Sequence, residues 1–305
     1  MTSDMPSNLA ASVHQRLLNL SHAHDEELQS VLIRYASERL LYRLSQSAHA
    51  EQFVLKGATL FRLWGGGPYR ATRDLDLLGY GNADAGHIEH VFRHVCRVAV
   101  EQDGLFFDDS TVRGQEIRGN EIYGGIRITL TARLAKAIIP VQVDVAFGDV
   151  VVPTPKIAVL PTILRFPAPR LKVYPREAVV SEKFQAMTVL GIANSRMKDF
   201  YDIWVLASRF AFLSRPLATS IKETFDRRST PLPEQAPLAL TAEFQQDQLK
   251  RNQWDAFLRR GQVPEERLTL ADSIEMIRNL VMPPTLALVA GETFDRTWQP
   301  GGPWR

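Results

Sequence analysis

Apolar positions in the first part of the chain recur every three to four residues, which is the spacing of amphipathic helices. Residues 9–47 contain two such stretches, "LAASVHQRLLNL" and "DEELQSVLIRYASERLLYRLSQS", and we predict a helix for each. The apolar run "FVLKG" at 53–57 is short and ends in a glycine, as a strand before a turn does. Helical spacing returns in "ATLFRLW" until "GGGPY" interrupts it. This region therefore predicts two helices, a strand, a turn and a third helix.

Alternating apolar and polar positions dominate the next stretch. "DLDLLGY" predicts a strand, "GHIEHVFRHVCRVAVEQ" a helix, and "EIRGNEIYGGIRITLTARL" two strands paired around a glycine turn. Residues 139–149, "IPVQVDVAFGD", alternate β-branched with polar residues and predict a half-buried strand that carries Asp144. The first half of the chain is thus predicted to be α+β.

The second half begins with a change of composition. "PTPKIAVLPTILRFPAPRLKVYP" holds many of the 18 prolines, so we place a subdomain boundary within 151–175. Residues 226–238 predict an exposed linker, and four segments have helical spacing: "REAVVSEKFQAMTVLGI", "SRMKDFYDIWVLASRFAF", 240–261 and 270–281. We predict an α+β fold with N-terminal helices and a small mixed-sheet core over residues 1–160. A mainly α-helical subdomain, residues 161–305, would follow and complete a nucleotide site.

Composition and charge exclude few functions. A chain of 305 residues with 45% hydrophobic residues can bury a sizeable core. It has no apolar run of about 18 residues and no secretory signal pattern at its start, so we expect a cytoplasmic protein without a membrane segment. A net charge of +2 does not by itself indicate a nucleic-acid partner. The single cysteine, Cys96, cannot form an internal disulfide, and its apolar neighbours predict a buried helix position.

Two aspartates stand one residue apart at the head of an apolar strand. Asp74 and Asp76 would share one face of that strand, where a hard cation such as Mg²⁺ resolves their repulsion. Asp144 offers a third carboxylate, Gly57 lets backbone amides approach a phosphate, and Thr72 adds a hydroxyl. Together they predict a metal and triphosphate site. Taken alone, the pair Asp74 and Asp76 could also be the solvated end of a strand. Asp144 taken alone could be a hydrogen-bonded residue at the edge of a sheet.

A second polar group is predicted on two later helices. Lys183 lies away from the apolar face of its helix and could reach a phosphate as a point charge, or be a solvated lysine. Arg196, Asp199 and Asp202 share one side of the next helix at spacings of three residues. Asp199 or Asp202 could orient Lys183 or the base and ribose, or the Arg196–Asp199 pair could be structural. The sequence does not choose between these.

Two further motifs are weaker. His87, His90 and His94 share a helical face, but a zinc site needs a fourth ligand and none is signalled nearby. The glycines at 65–67 follow a helix and precede a proline, which favours a flexible loop over a phosphate cradle.

The chain resembles the AbiEii-type nucleotidyltransferase toxins, relatives of the MenT toxins within the DNA polymerase β-like nucleotidyltransferase superfamily. The resemblance spans nearly the whole chain and is carried by "VLKGATLFRLW", "RATRDLDLLGYG", "VQVDVAFGD", "EAVVSEKFQAMTVLGIANSRMKDFYDIW", "ALTAEFQQDQLKRNQWDAFLRR" and the closing "GGPW". The family's functional positions fall on Gly57, Asp74, Asp76, Lys183, Asp199 and Asp202. Ala58 departs from the second glycine or serine common in relatives, which bears on the triphosphate contact.

The resemblance and the residues together imply a metal-dependent nucleotidyltransferase. It would transfer NMP from an NTP to an acceptor hydroxyl and release pyrophosphate, with Mg²⁺ or Mn²⁺ as cofactor. The expected catalytic residues are Asp74, Asp76, Lys183 and Asp199. The expected nucleotide-binding residues are Gly57, Thr72, Lys183 and Asp202, and the expected metal ligands are Asp74, Asp76 and Asp144.

The resemblance also implies partners. The chain would be the toxin of a toxin–antitoxin pair, with the antitoxin encoded next to it and an RNA acceptor, tRNA 3′ ends being the acceptor for some relatives. The basic stretches "PRLKVYPR" and "LKRNQWDAFLRR" could contact phosphates or form solvated faces. Two alternatives stay open. One is a nucleotidyltransferase that modifies a small molecule. The other is a non-catalytic nucleotide-binding regulator, which we retain because Ala58 departs from the residues common in relatives.

Overall fold

The computed structural model describes residues 6–65, 74–117, 124–261, 263 and 267–305, the side chains of 6–8 excepted. The chain forms two compact units. The N-terminal unit consists of Met1–Gly148 and Lys156–Val173, and the C-terminal unit of Asp149–Pro155 and Tyr174–Arg305. The predicted α+β class is confirmed, while the predicted division of the chain at residue 160 stays a prediction.

A seven-stranded mixed sheet forms the centre of the N-terminal unit. Its strands are β1 (Phe53–Lys56), β2 (Asp74–Gly79), β3 (Leu105–Ile117), β4 (Gly125–Leu134), β5 (Ala137–Phe147), β6 (Lys156–Val159) and β7 (Arg170–Val173). They lie in the order β3-β4-β5-β2-β1-β7-β6. The β2/β5 and β1/β7 pairs are parallel, and the other neighbours are antiparallel. The two strands that carry the predicted carboxylates are therefore direct neighbours.

In the described part of the N-terminal unit, four α-helices accompany this sheet. They are α1 (Pro6–His24), α2 (Leu28–Gln46), α3 (Thr59–Gly65) and α4 (Ala85–Arg97). Of these, α2 is buried on nearly all sides over Val31–Leu44. The Asp84 side chain caps α4 by accepting a hydrogen bond from the His87 backbone N–H at 2.8 Å. Cys96 is buried on α4 as predicted, and burial raises the pKa of its thiol to about 12.

A buried carboxylate ties α2 to the start of β3. Asp103 accepts hydrogen bonds from Arg39 Nε at 3.1 Å and from Arg43 Nη1 at 2.6 Å. The same residue accepts from the Leu105 backbone N–H at 3.1 Å through Oδ1, and from the Tyr35 hydroxyl at 2.7 Å through its carbonyl. The side chains of this hydrogen-bond network are buried, so the network fixes the position at which β3 begins.

The C-terminal unit is mainly helical, as predicted. Its helices are α5 (Arg176–Leu190), α6 (Met197–Arg209), α7 (Ser214–Arg227), α8 (Ala242–Gln246), α9 (Gln248–Gly261) and α10 (Leu270–Ala290), with a small antiparallel pair β8 (Phe212–Leu213) and β9 (Thr297–Trp298). The sequence did not predict α7, nor the strands β6 and β7 inside the proline-rich segment. Within the described residues, no helix is long and apolar enough to span a membrane.

The last helix extends beyond the predicted range of 270–281 and continues through two prolines. Pro283 and Pro284 lie inside α10 and lack the N–H groups that would bond the carbonyls of Asn279 and Leu280. The indole N–H of Trp304 lies 3.0 Å from the Asn279 carbonyl oxygen and 3.2 Å from that of Leu280. The C-terminal "GGPW" thus supplies a donor to both carbonyls that the prolines leave without a helical partner.

Candidate active site

The predicted aspartate strand forms and alternates as expected. Along β2, Asp74 and Asp76 are half-buried while Leu75 and Leu77 are buried, so the two carboxylates share one face of the sheet. In the parallel pairing of β2 with β5, Asp76 lies directly opposite Asp144. The structure therefore brings all three predicted carboxylates to one face of two adjacent strands.

Two cations flank these carboxylates in the same cross-strand row. Lys56 at the end of β1 is the register partner of Asp76, and Arg127 on β4 is the register partner of Asp144. Across four adjacent strands the row reads lysine, aspartate, aspartate, arginine. Opposite charges directly across a sheet are favourable and like charges are not, so the two outer cations offset the repulsion in the middle. Sequence reasoning did not single out Lys56 or Arg127.

Arg127 holds Asp144 in a two-pronged ion pair. Its Nε and Nη2 atoms donate to Oδ1 and Oδ2 of Asp144, each at 2.8 Å. Gln142 Nε2 makes a longer contact of 3.4 Å with Oδ1. The pKa of the Arg127 guanidinium is raised by these hydrogen bonds, and the charges of Asp144 and Asp74 raise it further. Asp144 is thus already paired with Arg127, and the negative charge of Asp74 also acts on the Arg127 guanidinium.

Gly57 lies directly against the carboxylate row. It follows β1 with a φ of +76°, a left-handed conformation that glycine adopts without strain. A β-carbon built at this position would stand 1.9 Å from Asp76 Oδ2. The turn after β1 can approach Asp76 closely only because the residue has no side chain. Ala58 follows and is buried.

A divalent metal would meet hard oxygen donors at this face. Asp74, Asp76 and Asp144 supply the carboxylate oxygens that Mg²⁺ and Mn²⁺ prefer, so the chemistry of the donor set fits such an ion. In the parts of the chain that the structure describes, no three His, Cys, Asp or Glu side chains form a group ready to hold a metal. Both oxygens of the Asp144 carboxylate already accept a hydrogen bond from Arg127, so a metal at this face would meet a carboxylate that is paired with a guanidinium.

The second predicted group forms within the C-terminal unit. Lys183 Nζ on α5 lies 2.5 Å from Asp199 Oδ1 and 2.9 Å from Asp202 Oδ2, both on α6. Arg196 Nε lies 2.7 Å from Asp199 Oδ2. Lys183 is only 15% exposed and both carboxylates are 1% exposed. Lys183 is therefore not a solvated lysine, and both aspartates contact it, which the sequence could not decide.

A buried lysine supports the segment that leads into this group. Lys250 on α9 is 4% exposed, donates to the Asn194 carbonyl at 3.0 Å and lies over the Phe244 ring. The Asn194 side-chain oxygen accepts from the Arg196 backbone N–H at 2.9 Å. Lys250 belongs to one of the basic stretches considered for phosphate binding, and its burial removes it from that role.

The remaining predicted positions divide into two sets. Thr72 and two of the glycines at 65–67 lie outside the described residues. Of the α4 histidines, His94 pairs with His49, whose Nε2 lies 3.0 Å from His94 Nδ1, and no group of three metal-ligating side chains forms among the described residues here. The zinc alternative therefore gains no support.

Residues 39–279 match the sequence model of a family described as "Nucleotidyl transferase AbiEii toxin, Type IV TA system". The chain belongs to the AbiEii family. It is accordingly a nucleotidyltransferase, and the toxin–antitoxin setting of the family implies an antitoxin partner. Enzymes of this family generally use an NTP and a divalent metal.

Solved structures that match this chain include two from Helicobacter pylori. One is a protein provisionally described as a nucleotidyltransferase, with 14% sequence identity, a TM-score of 0.46, and coverage of 84% of this chain and 95% of that one. The other is JHP933, with 13% identity, a TM-score of 0.44, and coverage of 83% and 91%. No curated protein sequence matches this AbiEii family member.

Proposed function

We propose that this AbiEii family member is a metal-dependent nucleotidyltransferase that transfers NMP from an NTP to the hydroxyl of an RNA acceptor. The observation that carries the proposal is the placement of Asp76 directly opposite Asp144 on parallel strands, with Asp74 on the same face. Three hard anionic groups on adjacent strands suit a divalent metal, Mg²⁺ or Mn²⁺, better than they suit any role in the core. Asp74, Asp76 and Asp144 would hold it.

The reaction breaks one phosphoanhydride bond of the NTP and forms one phosphodiester bond to the acceptor. The acceptor oxygen forms a bond to the α-phosphorus, the bond from that phosphorus to the β-phosphate oxygen breaks, and pyrophosphate leaves with the electron pair. The hydroxyl proton passes to a carboxylate or to water. A divalent metal, when bound, lowers the pKa of the attacking hydroxyl and stabilises charge on the leaving oxygens. The aspartates orient and retain it, and Gly57 leaves space beside Asp76.

We assign Lys183 the role of neutralising the negative charge of the triphosphate and of the departing pyrophosphate. An ammonium held by two buried carboxylates is kept in one place, so little rotamer entropy is lost when a phosphate binds it. We assign Asp199 and Asp202 to positioning Lys183, and Arg196 to offsetting the second carboxylate charge. Two cations then balance two anions before any nucleotide is present.

The acceptor is proposed from the family rather than from a contact. An RNA hydroxyl, with the tRNA 3′ end as first choice, agrees with a toxin that acts on cellular RNA. Incubating the protein with each of the four α-³²P-labelled NTPs, total RNA and Mg²⁺ or Mn²⁺ tests this directly. We expect label to enter RNA of tRNA length from one preferred NTP. Label in a small molecule, or none, would favour one of the two alternatives.

The first prediction concerns the aspartate pair. Replacing Asp76 with Asn, or Asp74 with Asn, removes one anionic metal ligand and leaves the strand register intact. We expect each change to reduce metal-dependent NTP consumption by at least about 10²-fold, the scale of losing one group that stabilises the transition state. Pyrophosphate release measured against metal concentration gives the rate.

Asp109→Asn is a matched control for this experiment. Asp109 lies on β3 and pairs with Arg97, whose side chain is 68% exposed, away from the carboxylate row. We expect it to keep wild-type turnover. Wild-type turnover in Asp74→Asn or Asp76→Asn, with the fold intact by circular dichroism, would rule out the proposed metal role.

A further inference from the structure

The sheet face that carries Asp74, Asp76 and Asp144 also carries a cation, Arg127, which is paired with Asp144. Both oxygens of Asp144 accept hydrogen bonds from the Arg127 guanidinium, so the fork covers the two atoms that a metal would use. Arg127 is 41% exposed on its side chain and Asp144 is 22% exposed. The ion pair is therefore partly exposed to solvent, and Arg127 is the more exposed of its two members.

The register explains why an arginine is needed there. Asp76 and Asp144 are direct neighbours across β2 and β5, and Asp74 is two residues from Asp76 on the same face. Without a cation, three carboxylates would repel one another on one small surface. Lys56 is the register partner of Asp76, while Arg127 is the register partner of Asp144 and feels the charge of Asp74. Arg127 thus holds the position from which a metal would neutralise the same charges.

We propose that Arg127 is the resident counterion of Asp144 and that a divalent metal competes with it for this carboxylate. In the absence of metal, Arg127 stabilises the face and weakens metal binding there. When a metal binds, the guanidinium leaves Asp144, and this exchange sets the metal concentration that the enzyme needs. Arg127 is a positioning residue in this account. The inference rests on the proposed metal site and adds a regulating residue that the sequence did not reveal.

Competition and simple structural support predict opposite results. If Arg127 competes with the metal, then removing it makes metal binding tighter. If Arg127 only orients Asp144 as a ligand, then removing it makes metal binding weaker. The sign of the change therefore decides, and it can be measured as binding, without any enzymatic turnover.

The test is a Mn²⁺ titration of the full-length protein, with free Mn²⁺ followed by its electron paramagnetic resonance signal. We expect Arg127→Gln to bind Mn²⁺ about three- to tenfold more tightly than wild type, a modest change because the ion pair is partly exposed. Arg127→Lys, which keeps the charge but loses the fork, should lie between the two. Asp144→Asn should bind Mn²⁺ more weakly than wild type.

Arg133→Gln is the matched control. Arg133 is on the same strand, and its Nη2 also pairs across to a neighbouring strand, 3.5 Å from Asp108 Oδ2. Removing it changes the net charge by the same amount, so we expect wild-type Mn²⁺ affinity if the effect belongs to the Asp144 pair. Adding Arg127→Gln to Asp144→Asn should change affinity much less than adding it to wild type.

Failure of this inference can be told apart from failure of the proposed function. If Asp144→Asn binds Mn²⁺ as well as wild type does, the metal site itself is wrong. If Asp144→Asn weakens binding but Arg127→Gln fails to tighten it, the metal site stands and the competition is overturned. Equal tightening by Arg127→Gln and Arg133→Gln would also overturn it, because the cause would then be net charge.

Discussion

The Lys183 ammonium pairs with two carboxylates that are almost fully buried. Asp199 and Asp202 are both 1% exposed and both lie within 3 Å of Lys183 Nζ. A buried charge that loses its partner is costly, because no water replaces the lost interaction. Lys183 therefore has two roles that one substitution disturbs together: it keeps the α5–α6 contact intact, and it is proposed to bind the triphosphate.

Replacing Lys183 with Ala should consequently reduce both stability and turnover. We expect a loss of about 3–5 kcal/mol in the free energy of unfolding, since a buried ion pair loses one member. We also expect turnover to fall by about 10²–10³-fold when it is measured well below the melting temperature of the variant. Urea unfolding and pyrophosphate release measure the two effects, and Mg²⁺ dependence should be unchanged.

The double variant Lys183→Met with Asp202→Asn separates these effects. It removes one charge of each sign and leaves the Arg196–Asp199 pair in place, so most of the lost stability should return while turnover stays low. Turnover that returned together with stability would contradict the assignment of both residues. Wild-type turnover and nucleotide affinity in Lys183→Ala would remove Lys183 from the proposed mechanism.

Gly57 illustrates how one residue type can be required by close approach. Residues other than glycine rarely adopt its φ of +76°. The β-carbon of any other residue at this position would also lie 1.9 Å from Asp76 Oδ2. The sequence predicted a glycine turn here from the end of an apolar run. Only the structure shows that the atom excluded belongs to a carboxylate 19 positions later in the chain.

Among whole elements, α10 depends on the C-terminal tail. The carbonyls of Asn279 and Leu280 have lost their helical donors to the two prolines, and the Trp304 indole N–H replaces both. Trp304 is 8% exposed and Leu280 is buried, so water has little access to the Leu280 carbonyl group. The helix and the tail therefore stabilise each other.

Trp304→Phe should destabilise the protein by about 1–3 kcal/mol, because it leaves the carbonyl oxygen of the buried Leu280 without a donor. Replacing Pro283 and Pro284 with Ala restores the helical N–H groups, so the cost of Trp304→Phe should shrink in that background. Urea unfolding of the four proteins gives the coupling energy. Equal costs in the two backgrounds would show that Trp304 acts through packing alone.

At the scale of the whole molecule, family membership makes a prediction about growth. The family is described as a nucleotidyltransferase toxin, so induced expression of the wild-type chain in a bacterium should slow growth if catalysis is the harmful act. Asp76→Asn, which should fold but fail to hold the metal, should allow growth at the rate of an empty-vector control. Matched protein levels, checked by immunoblot, make the comparison valid. Equal toxicity would point to sequestration or aggregation instead.

Local sequence determined several elements because their signals are local. Helical spacing predicted α2, α5 and α6, and the glycine after "FVLK" predicted the turn at the end of β1. Period-two alternation determined that Asp74 and Asp76 share a face, since side chains alternate along any strand. Three residues that the structure brings to one face, Asp74, Asp76 and Asp144, were therefore within reach of sequence reasoning.

Tertiary structure alone decided which partners those residues have. The pairing of β2 with β5 joins segments far apart in sequence, and its register puts Asp76 opposite Asp144. The pairing of β4 with β5 then places Arg127 on Asp144, although "GIRITL" carries no sign of it. Register is set by packing of the whole sheet rather than by any one strand. Likewise, only the tertiary structure shows that Trp304 folds back onto α10 and donates to the two carbonyls that Pro283 and Pro284 leave without a helical donor.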